Sequence, residues 1–317
     1  MFREKEVRFM SQIKEKLLGD FEIRKTKKQK SAFRAWLRTT LEREGYSVKT
    51  ERGNFSTNVL VGNVETAKVI FTAHYDTCPV LPFPNFITPR NVPFYLIYQV
   101  LICLPVFILA IGSEVAMLLL WENCPLWAAM GTVYAIMALM LWWIMAGPAN
   151  KHTANDNTSG VLTLLEIACS LPAEERSRVA FVFFDNEEKG LFGSSAFAGN
   201  HRNVKKNTLV LNFDCVSDGD HLHFFPTKKA MQDTAAMDAI RSAFPTVGHK
   251  SVTLMRGFYP SDQKCFAKGV GICALKHHKF LGYYMDRIHT GKDTVLDQRN
   301  IDLLRDGALR LVSSLPQ

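Results

Sequence analysis

The sequence predicts an α/β fold: a mixed, largely parallel central sheet with helices on both faces, interrupted by an inserted two-helix transmembrane hairpin. Three observations predict it. Strand-like apolar runs alternate with helix-length segments along the chain. The run at 68–73 is continuously apolar at Val69, Ile70 and Phe71, as a strand buried on both faces is. Between Asn85 and Ala149 the charged residues are Arg90, Glu114 and Glu122 alone, which sets that stretch apart from everything around it.

The first forty-odd residues read as amphipathic helix. Thr26 caps a helix over 27–44, with Phe33, Trp36, Leu37 and Leu41 on one face and Gly45 stopping it. The run RKTKKQK at 24–30 reads as the start of that helix with a solvated face, and attraction to anionic lipid is a second role for it. Strands are expected at 47–50, 58–61 and 68–73. Two long apolar runs follow, 94–120 and 126–146, separated by the polar turn Glu122-Asn123-Cys124-Pro125. A helix needs about 20 apolar residues to cross the hydrocarbon core. The second run meets this, with Trp142 and Trp143 placed as interfacial anchors. The first carries Pro105, Gly112 and Glu114, so it kinks or leaves the bilayer early. The alternative is a buried or dimer-forming hairpin in a soluble protein. Beyond the insert, helix is expected at 161–169, strand at 179–184, 209–213 and 270–275, and a closing helix at 301–314. The expected layout is one discontinuous domain, residues 1–84 and 150–317, with the hairpin at 85–149.

A hairpin returns the chain to the side it left. Arg90 and Lys151 flank its outer ends and its turn has no Lys or Arg, so the positive-inside rule places the remainder in the cytoplasm. The seven cysteines form no C-x-x-C pair and read as free thiols of a reducing compartment. The charged start lacks the apolar core of a secretory signal. Net charge is +8 overall and +9 outside 85–149. With no nucleic-acid fold signature beside it, this surplus points to an anionic membrane face and not to nucleic acid. The sequence leaves the oligomeric state open.

Five short segments bring acids or imidazoles to element ends, where open α/β sheets bind ligands. In Ala73-His74-Tyr75-Asp76-Thr77, residues two apart on extended chain share a side. Asp76 can therefore accept the second ring N–H of a metal-bound His74. In Ala154-Asn155-Asp156-Asn157-Thr158-Ser159-Gly160, Asp156 reads either as helix-capping material or as a bridge between two cations. In Phe184-Asp185-Asn186-Glu187-Glu188-Lys189-Gly190, adjacent carboxylates make sense if one binds a metal while the other takes a proton from bound water. A single acid, Asp214, ends Leu211-Asn212-Phe213-Asp214-Cys215, and His289 lies in the loop Ile288-His289-Thr290-Gly291-Lys292-Asp293-Thr294.

Taken in order, HYD, ANDNTSG, EEKGLFGS, NFDC and HTGKDT resemble the zinc exopeptidases of the bacterial leucyl aminopeptidase type (clan MH). That family also holds glutamate carboxypeptidase, glutaminyl cyclases and the transferrin receptor. Ser261-Asp262-Gln263-Lys264-Cys265-Phe266 is similar to the family's S-D-H-x-x-F. The resemblance implies one zinc on His74, Asp214 and a bridging Asp156, and a second on His289, Glu188 and the same Asp156. It makes Glu187 the general base, has Asp76 orient His74, and implies a cis bond between Asp156 and Asn157. Cobalt or manganese can replace zinc on such ligands. Thr153 and Gln263 depart from the family pattern. Cys215 reads as packing, His277 and His278 as a solvated strand end, and His152 as a plain linker residue, with a membrane headgroup or the active-site rim as its alternative.

The implied function is a membrane-anchored di-zinc aminopeptidase acting on peptide or amide substrates, hydrophobic ones if the site opens near the bilayer. Carboxypeptidase or N-acyl amino acid amidohydrolase activity on the same scaffold is the alternative within enzymes. A non-catalytic membrane receptor or scaffold is the alternative outside them.

Overall fold

A computed structural model describes residues 2–248 and 250–315. Helix α1 (Phe2–Leu18) buries Ile13 and Leu17, and α2 (Lys27–Arg43) buries Phe33, Leu37 and Leu41. Thr26 caps α2 through a reciprocal pair: Thr26 Oγ1 accepts from Gln29 N, and Gln29 Oε1 accepts from Thr26 N at 2.9 Å. Strands β1 (Val48–Arg52), β2 (Thr57–Val61) and β3 (Val69–His74) lead into the hairpin helices α3 (Val92–Leu120) and α4 (Leu126–Ala146). A turn over residues 154–159 then opens α5 (Gly160–Ser170). The chain continues through β4 (Val179–Phe184), α6 (Phe192–Asn200), α7 (Arg202–Asn207), β5 (Leu209–Phe213) and β6 (His221–Pro226). It ends with α8 (Lys228–Gln232), α9 (Thr234–Ala243), β7 (Ser251–Leu254), β8 (Lys268–His278), β9 (Gly282–Tyr284) and α10 (Gln298–Ser314).

The strands form one mixed sheet in the order β1-β2-β4-β3-β5-β8-β6-β7, with β9 on the outer part of β8. Its centre, β4-β3-β5-β8, is parallel, while β1, β2, β6 and β9 add antiparallel pairs. Alternate residues of the central strands feed two separate cores. Val69, Phe71, Val179, Phe181, Leu209 and Leu211 face the larger core under α1, α2, α5, α9 and α10. Ile70, Ala180, Val182 and Val210 face the smaller one with Phe197, Val204 and Phe266. Burial on both faces explains why these strands are apolar at every position.

The sequence missed β6, β7 and β9 and the helices α6 to α9. β6 mixes His221 and His223 with Leu222 and Phe224, so its apolar face covers only every second residue. β8 runs longer than the expected 270–275 because its polar end, Lys276-His277-His278, pairs with β9. His277 and His278 are exposed there, as expected.

The hairpin is built unlike the rest. Both helices are long and apolar enough to cross a membrane, and only 6% of each apolar window is buried. That contradicts a hairpin buried in the domain's own core. The two helices meet at the small residues Ala110 and Ala129, and Ser113 Oγ lies 3.0 Å from Thr132 Oγ1, a close approach typical of helix pairs in lipid. The chain leaves and returns through adjacent segments. Pro79 bridges Ala149, and Val80 N donates to Pro148 O at 2.8 Å.

Candidate metal centre

β3, β4 and β5 are parallel, so their carboxyl ends gather at one edge of the sheet. β3 ends at His74 itself. Glu187 and Glu188 lie just past β4, and Asp214 just past β5. Asp156 comes from the turn before α5 and His289 from the loop after β9. These six side chains converge on one cavity of about 120 Å³, whose wall also includes Asn85, Ile87, Tyr95, Cys215 and Tyr259.

Asp156 stands at the middle. Its Oδ1 is 3.3 Å from His74 Nε2, and its Oδ2 is 2.9 Å from His289 Nε2. Asp214 Oδ1 approaches the same His74 nitrogen at 3.4 Å, and Glu188 Oε2 approaches His289 Nε2 at 3.0 Å. The carboxylate thus faces two histidines, each with its own further acid. Buried Asp156 Oδ1 and Glu188 Oε1 make no hydrogen bond, a costly state for carboxylate oxygens unless a cation meets them. The donor set of imidazole and carboxylate suits zinc, with bonds of about 2.0–2.2 Å. Ligand atoms of His74, Asp156 and Glu188 lie within 4.8 Å of one another, and so do those of two overlapping groups that add a cysteine, Cys78 with Glu188 and His289, and Cys215 with Asp156 and Asp214. The residues present therefore fit a metal site.

Electrostatics agree with a site short of positive charge. Burial lowers the pKa of His74, but the nearby carboxylates of Asp156, Asp214 and Asp76 outweigh it and raise it well above the usual value. His289 behaves likewise, through Glu188 and Asp156. Burial raises Asp156, yet the adjacent imidazoles of His289 and His74 prevail and hold it below the carboxylate range. Glu187 is pushed well up by burial first, and then by Asp262, Glu188 and Asp214, with His74 opposing.

The turns that carry these groups are fixed by the backbone. Asp293 accepts from Asn155 N at 2.7 Å and from Asp156 N at 3.0 Å. Asn157 donates to Phe213 O and accepts from Gly160 N, each at 3.0 Å. The peptide bond between Asp156 and Asn157 is cis, as the resemblance implied. A Cβ on Gly160 would lie 2.3 Å from Phe213 O, and one on Gly193 would lie 2.4 Å from Asp185 O. That explains the glycine in each motif. Cys215 and His289, beside or within the cluster, hold left-handed φ of 57° and 60°, a conformation costing of order 1–3 kcal/mol each.

Two expectations need correction. Asp76 does not meet His74 chiefly with its carboxylate: the ring Nδ1 is 3.1 Å from the Asp76 carbonyl oxygen and 3.6 Å from its Oδ1. That Oδ1 instead accepts from Glu187 N at 3.0 Å, because β3 and β4 end side by side. The basic run at 24–30 is not wholly a solvated face. Arg24 is fully buried, with Nε donating to Tyr75 O at 2.5 Å and Nη2 to Thr158 Oγ1 at 3.1 Å. Lys30 is buried against Asp185 Oδ1 at 2.6 Å and Asn186 Oδ1 at 2.8 Å. Both cations brace the segments that carry the acids.

Asp293, Tyr259 and Asp262 were not singled out from the sequence. The Tyr259 hydroxyl donates to Asp214 O at 3.0 Å. Asp262 lies fully buried with neither oxygen hydrogen-bonded, and burial pushes its pKa up to about 7. The S-D-x-x-x-F resemblance marked its segment but gave it no role. Gln263, where the pattern has His, donates to Tyr259 O at 2.8 Å, and Thr153 donates to Glu22 O at 2.6 Å. Both act as braces. Cys215 is buried with Sγ donating to Asp214 Oδ1 at 3.2 Å. His152 is exposed, 3.6 Å from Glu22.

The fold is shared with solved structures of low sequence identity. The aminopeptidase LapA of Legionella pneumophila is 15% identical with a TM-score of 0.57, over 96% of this chain and 69% of that one. A Zn-dependent exopeptidase from Parabacteroides distasonis is 15% identical with a TM-score of 0.57, over 93% and 92%. The glutaminyl cyclase of Tannerella forsythia is 14% identical with a TM-score of 0.60, over 97% and 98%. No curated protein matches the chain in sequence. The family model for peptidase family M28 matches residues 138–312, a span that includes Asp156, Glu187, Glu188, Asp214 and His289 and leaves out His74. The match covers more than half of the chain, which therefore belongs to peptidase family M28.

Proposed function

We propose that this peptidase is a membrane-anchored di-zinc exopeptidase, an aminopeptidase in its simplest form, with its catalytic part on the cytoplasmic side. The observation that carries the reading is the placement of Asp156, one oxygen toward His74 and Asp214, the other toward His289 and Glu188. His74 and Asp214 would hold one zinc, His289 and Glu188 the other, with Asp156 shared. Bound there, the ions would polarise the scissile carbonyl and acidify a water.

The chain's own residues do the rest. Glu187 lines the cavity beside the ligands and belongs to neither histidine pair, so it is free to take and return protons. Asp76 fixes the backbone of Glu187 and, through its carbonyl, the ring of His74.

The test compares wild type with Glu187→Gln for metal content and for turnover of an aminoacyl amide panel. The variant is expected to keep about two zinc ions per chain and to lose about 10²–10⁴-fold in kcat. Full activity in the variant, or wild type purified without a divalent ion, would overturn the proposal. Parallel assays on amino-blocked and carboxyl-blocked substrates separate aminopeptidase from carboxypeptidase and N-acyl amidohydrolase. A second reading, the N-acyl form, is favoured by the apolar groove that adjoins this cavity.

A further inference from the structure

A cavity of about 520 Å³ runs between the two hairpin helices. One wall is a single face of α3 (Gln99, Ile102, Val106, Leu109), and the other a single face of α4 (Ile136, Leu139, Met140, Trp143). From Gln99 to Leu109 it extends about 15 Å along α3, at about 1.5 Å per residue. Its inner end does not close on the hairpin. Asn85 and His289 line both this groove and the metal-site cavity, so the two spaces share a wall at a proposed zinc ligand.

We propose that the groove binds the long alkyl chain of the substrate, which is an N-acyl amino acid held with its amide at the metal centre and its acyl chain between α3 and α4. This rests on the amide-hydrolase reading above. An extended peptide is a poor occupant, because its N–H and C=O groups would face walls that offer almost no partners, and unmet backbone groups are costly in apolar surroundings. An unbranched alkyl chain has nothing to satisfy. The other half of the substrate meets different chemistry. Lys25 and Lys189 line a notch beside Glu188, with Pro79 and Met145 also in its wall, and suit the carboxylate of an amino acid.

The reaction balances with water as sole co-reactant. The water oxygen bonds to the acyl carbon and the C–N bond breaks. Both water protons end on the leaving nitrogen, carried by Glu187, giving a fatty carboxylate and an amino acid with a free ammonium.

The test uses the full chain, zinc-loaded, in phosphatidylcholine nanodiscs. Hydrolysis of N-dodecanoylglycine, N-acetylglycine and leucine amide is compared for wild type, Val106→Trp, which fills the groove, and Leu101→Trp, an exposed α3 position outside the groove. Labelling by a diazirine-bearing dodecanoylglycine, mapped by mass spectrometry, reports occupancy without turnover. Expected results are a dodecanoyl-to-acetyl ratio of at least tenfold in kcat/KM, at least a tenfold fall of that ratio in Val106→Trp, and no fall in Leu101→Trp. The label should map to α3 and α4 groove residues and yield to dodecanoylglycine but not to added phosphatidylcholine. An equal ratio in both tryptophan variants, or labelling displaced by phosphatidylcholine, overturns the proposal and makes the groove a lipid site. Cleavage of leucine amide with no cleavage of either acylglycine overturns it too. Loss of all hydrolysis with labelling still in the groove supports the alkyl site and sinks the hydrolase reading alone.

Discussion

Asp76 shows how a side chain's duty depends on neighbours that are far away in sequence. The H-x-D spacing placed Asp76 beside His74, but its carboxylate serves Glu187, 111 residues further on. Asp76→Ala should therefore loosen the turn that carries Glu187 and lower zinc affinity or kcat by about 10–100-fold, measured by zinc titration and single-turnover rates. Arg24 is the clearest miss at this scale. Nothing in RKTKKQK distinguishes a buried arginine from its solvated neighbours, because the carbonyl of Tyr75 and the hydroxyl of Thr158 that it serves lie far along the chain. Arg24→Ala leaves those groups unmet at about 1–3 kcal/mol each. A loss of roughly 3 kcal/mol or more is expected in denaturant titration, and a neutral result would contradict the buried placement.

Element-scale features were legible where a face repeats and hidden where it does not. The capping box at Thr26 and Gln29, the apolar strands β3, β4 and β5, and the closing helix all announce themselves through local chemistry. Phe181 sits in the larger core with no exposure, so Phe181→Ala should cost about 3–5 kcal/mol. One tie between elements depends on pH. His201, after α6, lies between Glu51 of β1 and Glu65, with nitrogen–oxygen distances of 2.6 and 2.5 Å. Burial lowers its pKa, but the bonds to Glu65 and Glu51 raise it above 6.5 overall. A raised folded-state pKa means stability that is fully present below about pH 6.5 and is lost as pH rises through the folded value. His201→Ala should accordingly lower Tm at pH 6 and have a smaller effect at pH 9.

At the scale of the molecule, the two hairpin helices leave and return through adjoining segments. Residues 80 and 148 are hydrogen-bonded neighbours, so replacing α3 and α4 (92–146) by a flexible linker leaves in place residues 81–91, where Leu81 N donates to His289 O and Ile87 pairs with Met285. The shortened chain is expected to fold and leave the membrane fraction, whereas the full chain should resist an alkaline carbonate wash. Full-length protein found in the soluble fraction would count against the anchor. Sequence alone determined the family resemblance, the metal-ligand candidates, the central strands and the two apolar spans. Each is written in a local run of residues whose chemistry has few other uses. Tertiary structure decided which acid faces which histidine, where Asp76, Arg24 and Lys30 are spent, and that Asn85 and His289 join the metal site to the groove. Those are relations between segments distant in the chain, fixed by how the sheet packs and not by any residue's immediate neighbours.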